Sequence, residues 1–110
     1  MISAVYVYTR NDQGTTGIES DDTWEFQAKL TPSGGGTWVF GGAVAISGGI
    51  IVVGDTHDIT NGEDSGAVYV FRRSGQTWSL DQKLVASDGG SHDYFGDEVA
   101  IENNTIVVGA

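Results

Sequence analysis

Gly66-Ala67-Val68-Tyr69-Val70-Phe71 is a short run of β-branched and aromatic residues that opens at a glycine. Runs of this kind, bounded by Gly, Ser, Asn or Asp, predict β-strands separated by turns. Three similar runs follow it, and they are Trp78–Leu84, Phe95–Ile101 and Ile106–Ala110. The same four kinds of segment occur earlier in the chain in the same order. This self-similarity indicates an internal structural repeat.

The earlier copy aligns with the later one strand by strand. The numbering offset between the copies changes only inside loops, and insertions at turns are what a structural repeat tolerates. A repeat of about 45 residues with four short antiparallel strands predicts one blade of a β-propeller. The paired segments are Ala4–Thr9 with Ala67–Arg72, Trp24–Leu30 with Trp78–Leu84, Phe40–Ile46 with Phe95–Ile101, and Ile50–Gly54 with Thr105–Gly109.

The apolar pattern differs between the predicted strands. Residues 24–30 alternate, which predicts that Trp24, Phe26, Ala28 and Leu30 share one face of a half-exposed outer strand. The runs 40–46 and 50–54, with their counterparts in the second copy, are apolar at consecutive positions. Consecutive apolar positions predict strands that are buried on both faces.

Composition narrows the class of protein. The chain has 110 residues, of which 17 are Gly, one is Pro and none is Cys, so a disulfide framework and a thiolate metal site are excluded. Fifteen acidic residues against five basic ones give a net charge of -10. Nucleic acid is therefore not expected as a partner, since phosphate binding needs a basic patch. No apolar run approaches the length of a membrane span, and residues 1–5 show no signal-peptide features.

Several motifs resemble a known repeat family. Phe-Gly at Phe40-Gly41 and Phe95-Gly96, Val-Ala-Ile after it, Val-Val-Gly-Ala at 107–110 and the run 66–71 are similar to the FG-GAP repeat. That repeat builds the propellers of integrin α-subunits and occurs in many bacterial surface proteins, whose version residues 78–110 resemble most. The resemblance implies an all-β propeller that acts as a non-catalytic, extracellular or cell-surface module of binding or adhesion.

The calcium site of integrin-type repeats is not expected in this chain. In that family the calcium loop lies between the Phe-Gly strand and the Val-Val-Gly strand, and it supplies several oxygen ligands to one Ca²⁺. Here this connection is only Ser47-Gly48-Gly49 in one copy and Glu102-Asn103-Asn104 in the other. Three residues are too few to surround the ion. The first copy also ends in Gly54-Asp55 where the family has Gly-Ala.

The family's strand order, with Phe-Gly innermost and Trp outermost, divides this chain unevenly. Residues 1–30 hold strands three and four of one blade, residues 40–84 a complete blade, and residues 95–110 strands one and two of another. The two end segments leave apolar edges, which native proteins cover. One interpretation is head-to-tail self-assembly in which copies complete each other's blades, giving a ring or a filament. The other is a fragment of a longer propeller protein. The edge residues are Val5, Tyr6, Val7, Tyr8, Ile106, Val107 and Val108.

One loop face collects most of the chemically interesting side chains. In a propeller the loops 55–65, 31–39 and 85–94 should share a face, and these loops contain both histidines of the chain but no Lys or Arg. Carboxylates beside aromatic rings favour a hard cation, a basic protein or a sugar as ligand, and a solvated acidic surface is the alternative. The predicted ligand-face residues are Trp38, Asp55, His57, Asp58, Asp88, His92, Asp93 and Tyr94.

A cation is a narrower hypothesis on the same face. The candidate ligands for Ca²⁺ are Asp55, Asp58, Asn61, Glu63 and Asp64, although Asn61-Gly62 is also a turn signal. His57 and His92 would bind zinc only with a third ligand. No nucleophile–base set or phosphate loop is present, so an enzyme is not expected. Pairs of carboxylates leave a glycan hydrolase as an alternative, and a purely structural ring or filament subunit is another.

Overall fold

The fold is known from a computed structural model, which describes residues 4–11, 23–32 and 39–110. Every regular element in these residues is a β-strand, and no helix among them is long and apolar enough to cross a membrane. The strands are β1 (Val5–Asn11), β2 (Thr23–Leu30), β3 (Ala43–Ser47), β4 (Ile50–Asp55), β5 (Ala67–Ser74), β6 (Thr77–Leu84), β7 (Glu98–Glu102) and β8 (Thr105–Gly109).

The strands form three antiparallel sheets. The central sheet contains β3, β4, β5 and β6, hydrogen-bonded in sequence order. Strands β1 and β2 form the N-terminal pair, and β7 and β8 form the C-terminal pair. The strand order predicted for a blade, from the Phe-Gly segment to the Trp segment, is thus the order of the central sheet.

The central sheet is packed between the two pairs. Side chains of β5 alternate between its faces, so Tyr69 and Phe71 point to the N-terminal pair while Val68 and Val70 point to the C-terminal pair. Each face has its own apolar cluster. The first cluster is built on Val7, Leu30, Phe40, Ile51, Val53, Ala67, Tyr69 and Phe71. The second is built on Val52, Val68 and Val70, with Val99, Ile101, Ile106 and Val108 packed against it.

The prediction of burial on both faces holds for β4 but is wrong for β3. It is also wrong for the second-copy strands β7 and β8, in which no residue is buried. Residues 51–55 of β4 are all buried. In β3, Val44 is 51 % exposed and Ile46 is 60 % exposed. These two side chains face away from β7, on the side where the N-terminal pair covers β4 and β5 but leaves β3 uncovered. One face of the innermost strand therefore lacks a packing layer within the described residues.

The predicted shared face of β2 is also wrong, because the strand contains a β-bulge. Ala28 lies opposite Val7 but Phe26 lies opposite Tyr8, which leaves Gln27 as the extra residue. An extra residue reverses the alternation beyond it. Phe26 is consequently 59 % exposed on the outer side, beside Tyr8 with ring centroids 6.0 Å apart. Trp24 is exposed as well, and β6 has a corresponding bulge between its Leu80 and Gln82 pairings.

The Phe-Gly motifs lie before the strands that they were predicted to begin. Gly41 and Gly96 have φ of 95° and 100°, which interrupts an extended strand. The Gly41 amide donates to the Gly54 carbonyl at 3.1 Å, and the Gly96 amide donates to the Gly109 carbonyl at 2.9 Å. Strands β3 and β7 accordingly start at residues 43 and 98. The phenylalanine before the glycine is not part of the strand, so its side chain can pack inward. Phe40 does so and is 2 % exposed.

Candidate functional site

Two loops meet at one end of the central sheet, where β4 and β6 end and β5 begins. The β4–β5 loop (residues 56–66) and the β6–β7 loop (residues 85–97) are joined by backbone hydrogen bonds. The amides of His92, Tyr94 and Phe95 donate to the carbonyls of Glu63, Asp64 and Ser65 at 2.7, 3.0 and 2.9 Å. Gly66 and Phe95 also form a parallel β-bridge. These bonds hold the segment that leads into β7 against the central sheet.

The same junction contains unfavourable backbone conformations. Asp64, His92 and Tyr94 have φ of 54°, 67° and 56°, a left-handed region that is uncommon for residues with a Cβ. Such conformations cost on the order of 1 kcal/mol each and persist only where surrounding contacts impose them. The backbone bonds between the loops are those contacts. Their effect is to fix the directions of the three side chains.

The junction brings part of the predicted ligand face together. Oxygens of Glu63 and Asp64 and a ring nitrogen of His92 lie within 4.8 Å of one another. The Tyr94 ring lies 6.0 Å from that of His57 and 6.4 Å from that of His92. The structure thus joins two of the predicted Ca²⁺ ligands to a histidine from the other loop. Binding of a cation here stays a prediction, since exposed acidic groups commonly cluster without an ion.

Asp58 occupies a different position, because its carboxylate is directed into the protein. The residue is 1 % exposed. Its Oδ2 lies 2.9 Å from the Lys83 Nζ and accepts a hydrogen bond from the Tyr69 hydroxyl at 3.1 Å, while its Oδ1 accepts from the Thr60 amide at 2.8 Å. The Lys83 Nζ also donates to the Thr60 hydroxyl and lies 5.2 Å from the centre of the Tyr69 ring. Asp58 therefore anchors the β4–β5 loop to β5 and β6.

These contacts set the protonation of the cluster. Burial alone would raise the pKa of Asp58, but hydrogen bonds from Thr60 and Lys83, with the positive charge of Lys83, hold that pKa below its usual value. The pKa of the Tyr69 hydroxyl is raised well above its usual value by burial and by the neighbouring Asp58 carboxylate. Asp58 is thus ionised at neutral pH, and Tyr69 remains a protonated donor to it.

The sequence comparison agrees with the strand pattern. The FG-GAP repeat matches residues 24–71 and again residues 78–110, which together are more than half of the chain. The chain belongs to the FG-GAP repeat family. FG-GAP repeats form propeller blades, so the central sheet is one such blade. No curated protein and no solved structure matches the chain.

The remaining predicted ligand-face residues are spread over this FG-GAP module. Asp55 is buried at the end of β4, and its Oδ1 accepts the His57 amide at 3.1 Å. Asp88 and Asp93 are exposed, and the Asp93 Oδ2 accepts the Gly90 amide at 2.8 Å within its own loop. Trp38 lies outside the described residues. The loop face thus divides into an exposed surface and a buried anchor.

Lys83 is the residue of this cluster that sequence reasoning missed. The loops themselves contain no Lys or Arg, but Lys83 reaches the β4–β5 loop from β6. The repeat did contain a signal, because Lys29 occupies the equivalent position of β2. Tyr69 and Tyr6 are likewise equivalent, and each tyrosine is the cross-strand partner of its lysine. A Tyr–Lys pair that recurs in register indicates a role in each blade of the FG-GAP module.

Replacing Lys83 with methionine is expected to destabilise the chain by about 2 kcal/mol, because it leaves the Asp58 carboxylate buried without its cation. The full decrease in unfolding free energy is expected at neutral pH, where Asp58 is ionised. It should shrink as the pH falls through the depressed pKa of Asp58, since the stability from a carboxyl with a lowered pKa is present only above that range. Urea unfolding at pH 7 and pH 3 measures both values.

The matched control is Lys29→Met at the equivalent position of β2. Lys29 is exposed and has no carboxylate partner among the described residues, so its replacement should change the stability of the unassembled chain by less than about 0.5 kcal/mol. Equal losses in the two variants would show that the Asp58 ion pair does not stabilise the loop.

Proposed function

We propose that this FG-GAP module assembles head to tail with further copies of itself into a closed β-propeller, with β8 of one copy paired to β1 of the next. The observation that supports this most strongly is the layered packing. The N-terminal pair lies on one face of the complete blade and the C-terminal pair on the other, as neighbouring blades do. Within the described residues, β1 pairs only with β2 and β8 pairs only with β7. Each pair thus has the strand number of half a blade, and the free edges of β1 and β8 are the ones that this assembly would join.

The complete blade supplies the register for this pairing. In it, β4 and β5 pair with Ile51 opposite Phe71 and Val53 opposite Tyr69. Strand β8 repeats β4, and β1 repeats β5, so the same register can be written for β8 of one copy and β1 of the next. The resulting pairs are Thr105 with Thr9, Ile106 with Tyr8, Val107 with Val7, Val108 with Tyr6, and Gly109 with Val5.

The side chains that are exposed in one chain are those that this pairing would bury. Tyr6 is 55 % exposed and Tyr8 is 54 % exposed, whereas their equivalents Tyr69 and Phe71 are 0 % and 3 % exposed in the complete blade. Phe40 packs edge-on against Tyr69 with ring centroids 5.3 Å apart. In the assembly, Phe95 of one copy would occupy the same position over Tyr6 of the next. Covering large aromatic surface in this way is a strong driving force for association.

An apolar groove of about 270 Å³ lies where the incoming half-blade would sit. It runs between β1 and the uncovered face of β3, and it includes both exposed β3 side chains, Val44 and Ile46. On the incoming half-blade, Val107 is 63 % exposed on the matching face. The two apolar surfaces therefore complement each other across the proposed interface.

Close backbone contact between glycines of neighbouring blades also supports the proposed assembly. A Cβ on Gly54 would lie 2.1 Å from the Gly96 carbonyl oxygen, so the complete blade meets its neighbour through glycine backbone. A Cβ on Gly96 would be 2.8 Å from the Ala67 carbonyl oxygen, and one on Gly41 would be 3.7 Å from the equivalent oxygen of Ala4. Gly96 thus lies beside both Ala67 and Gly54, whereas Gly41 lies beside Ala4, the equivalent of Ala67, with no equivalent of Gly54 beside it among the described residues. In the assembly, Gly109 of another copy would lie beside Gly41 as Gly54 lies beside Gly96.

Solution mass tests the assembly. Because each copy contributes one complete blade and two halves, three copies make six blades and four copies make eight, within the usual range of propellers. Native mass spectrometry and analytical ultracentrifugation are expected to give three or four times the chain mass of 11.6 kDa. A monomer that persists at a concentration of about 100 μM would contradict self-assembly.

We also propose that the module is non-catalytic and works outside the cell or at its surface. Membership of the FG-GAP repeat family supports this, because its propellers typically serve as binding domains. The exposed part of the loop face, around Glu63, His92, Asp93 and Tyr94, is the surface that such an assembly would offer to a protein or a glycan. Fractionation of the source cells, with the protein recovered only in the cytosol, would contradict the proposed location.

A further inference from the structure

The N-terminal pair carries an open copy of the site that anchors Asp58. In the complete blade, Tyr69 and Lys83 are cross-strand partners, and together they hold the Asp58 Oδ2 at 3.1 and 2.9 Å. In the N-terminal pair, Tyr6 and Lys29 are cross-strand partners in the equivalent positions. The Lys29 Nζ lies 5.8 Å from the centre of the Tyr6 ring, close to the 5.2 Å between Lys83 and Tyr69.

The two sites differ in what they hold. Asp58 fills the first site and is 1 % exposed there. At the second site, no carboxylate of the described residues lies within ion-pair distance of the Lys29 Nζ, and both Tyr6 and Lys29 are exposed. The Tyr6–Lys29 pair therefore keeps the arrangement of the Tyr69–Lys83 donors but has no carboxylate acceptor among the described residues. We propose that Tyr6 and Lys29 form a receptor for one carboxylate, carried by the chain segment that follows the strand added at the β1 edge.

The position of that carboxylate follows from the complete blade. Asp58 is the fourth residue after Gly54, and the backbone returns toward β5 because the Asp58 amide donates to the Asp55 carbonyl. An incoming strand with its glycine opposite Val5 would place the fourth residue after that glycine beside Tyr6. The partner chemistry is thus an extended apolar strand, a glycine, and an acidic residue four positions later. Residues 50–58 of this chain carry that pattern, with Asp58 four positions after Gly54.

Charge makes the receptor selective. The chain has a net charge of -10, so an approaching acidic segment is repelled by most of the surface. The Lys29 ammonium group and the Tyr6 hydroxyl offer one local exception, and a charge-assisted hydrogen bond is stronger than a neutral one. Apolar strand pairing would supply affinity, and the carboxylate would fix the register, since a shift by one residue would take it away from both donors.

This inference rests on the proposed addition of a strand at the β1 edge, and a peptide from the chain itself tests both. The peptide spans residues 50–65, which contain β4 and the loop through Asp58, and a second peptide carries Asp58→Asn. Each is labelled and titrated into the full-length Gly109→Ala variant, in which assembly is expected to be blocked and the β1 edge open. Fluorescence anisotropy measures the dissociation constants.

The peptide with Asp58 is expected to bind about tenfold more tightly than the peptide with Asn. That difference should disappear when the protein carries Tyr6→Phe with Lys29→Met. It should remain in an Arg73→Met control, which removes one positive charge elsewhere. Equal binding of the two peptides would overturn the carboxylate receptor while leaving strand addition intact. Binding of neither peptide would overturn strand addition itself, and with it both proposals.

Discussion

Replacing Gly109 with alanine is expected to abolish head-to-tail assembly while the isolated chain keeps its melting temperature. In the single chain, a Cβ at this position would lie 3.5 Å from the Glu98 Cβ, an ordinary contact, and the backbone φ is not in the left-handed region. The variant should therefore fold as the natural sequence does. Alanine in a strand also has a smaller entropy cost than glycine.

The effect on assembly follows from Gly54, which occupies the same position in the complete blade. There a Cβ would lie 2.1 Å from the Gly96 carbonyl oxygen, a distance that atoms cannot adopt. In the proposed assembly Gly109 would meet Gly41 of the next copy in the same way. Backbone cannot move aside as a flexible side chain can, so association should weaken by at least about 100-fold. Sedimentation velocity over a concentration series measures the change.

Gly90→Ala is the matched control, because a Cβ on Gly90 has no atom within 4 Å and the residue is outside both strand edges. It should neither destabilise the chain nor prevent assembly. Assembly of Gly109→Ala with unchanged affinity would show that β8 does not meet a neighbouring blade as β4 does. A melting temperature of the Gly109→Ala monomer below that of the natural chain diluted until it dissociates would show instead that the substitution disturbs the C-terminal pair itself.

The second large effect is expected inside the chain, at Gly66. This residue has φ of 88°, and a Cβ there would lie 2.1 Å from the Phe95 carbonyl oxygen and 2.4 Å from its nitrogen. Both atoms belong to backbone that joins the C-terminal pair to the central sheet. Gly66→Ala should therefore cost more than about 4 kcal/mol, a large part of the stability of a small domain. Chemical denaturation followed by circular dichroism measures the loss.

Gly75→Ala separates the two causes of that loss. Gly75 also has a left-handed φ, of 64°, but a Cβ there would have no atom within 4 Å. This variant therefore carries the conformational cost without the collision, and it should lose about 1–2 kcal/mol. If Gly66→Ala were no worse than Gly75→Ala, the close approach of Gly66 to Phe95 would have no energetic importance.

Much of the architecture could be predicted from the sequence because it depends on local patterns. Apolar runs between glycine-rich turns located all eight strands of the described residues, and the repeat predicted the strand order of the complete blade. Two errors concerned single residues. The bulge at Gln27 reverses the faces of Phe26 and Trp24, and alternation alone does not reveal an inserted residue. The left-handed Gly41 and Gly96 shift the start of β3 and β7 past the Phe-Gly motif.

The candidate site depended much more on contacts between distant segments. The sequence grouped Asp55, Asp58, Glu63 and Asp64 in one acidic loop. In the folded chain, Glu63 and Asp64 lie beside His92 from another loop, while Asp58 turns inward to Lys83. Its inward position results from a balance between the cost of burial and the donors that Tyr69, Thr60 and Lys83 provide. No sequence pattern within the loop itself indicates that Asp58 is buried.

The sequence by itself determined the repeat, its FG-GAP family and the strand content, because each follows from residue order within one segment. The tertiary structure decided which edges remain open, which acidic groups are buried and where glycine backbone must meet backbone. Each of these depends on packing between segments far apart in the chain. The Tyr6–Lys29 pair needed both kinds of information, since the repeat identifies its equivalent and only the folded blade shows that the equivalent holds a carboxylate.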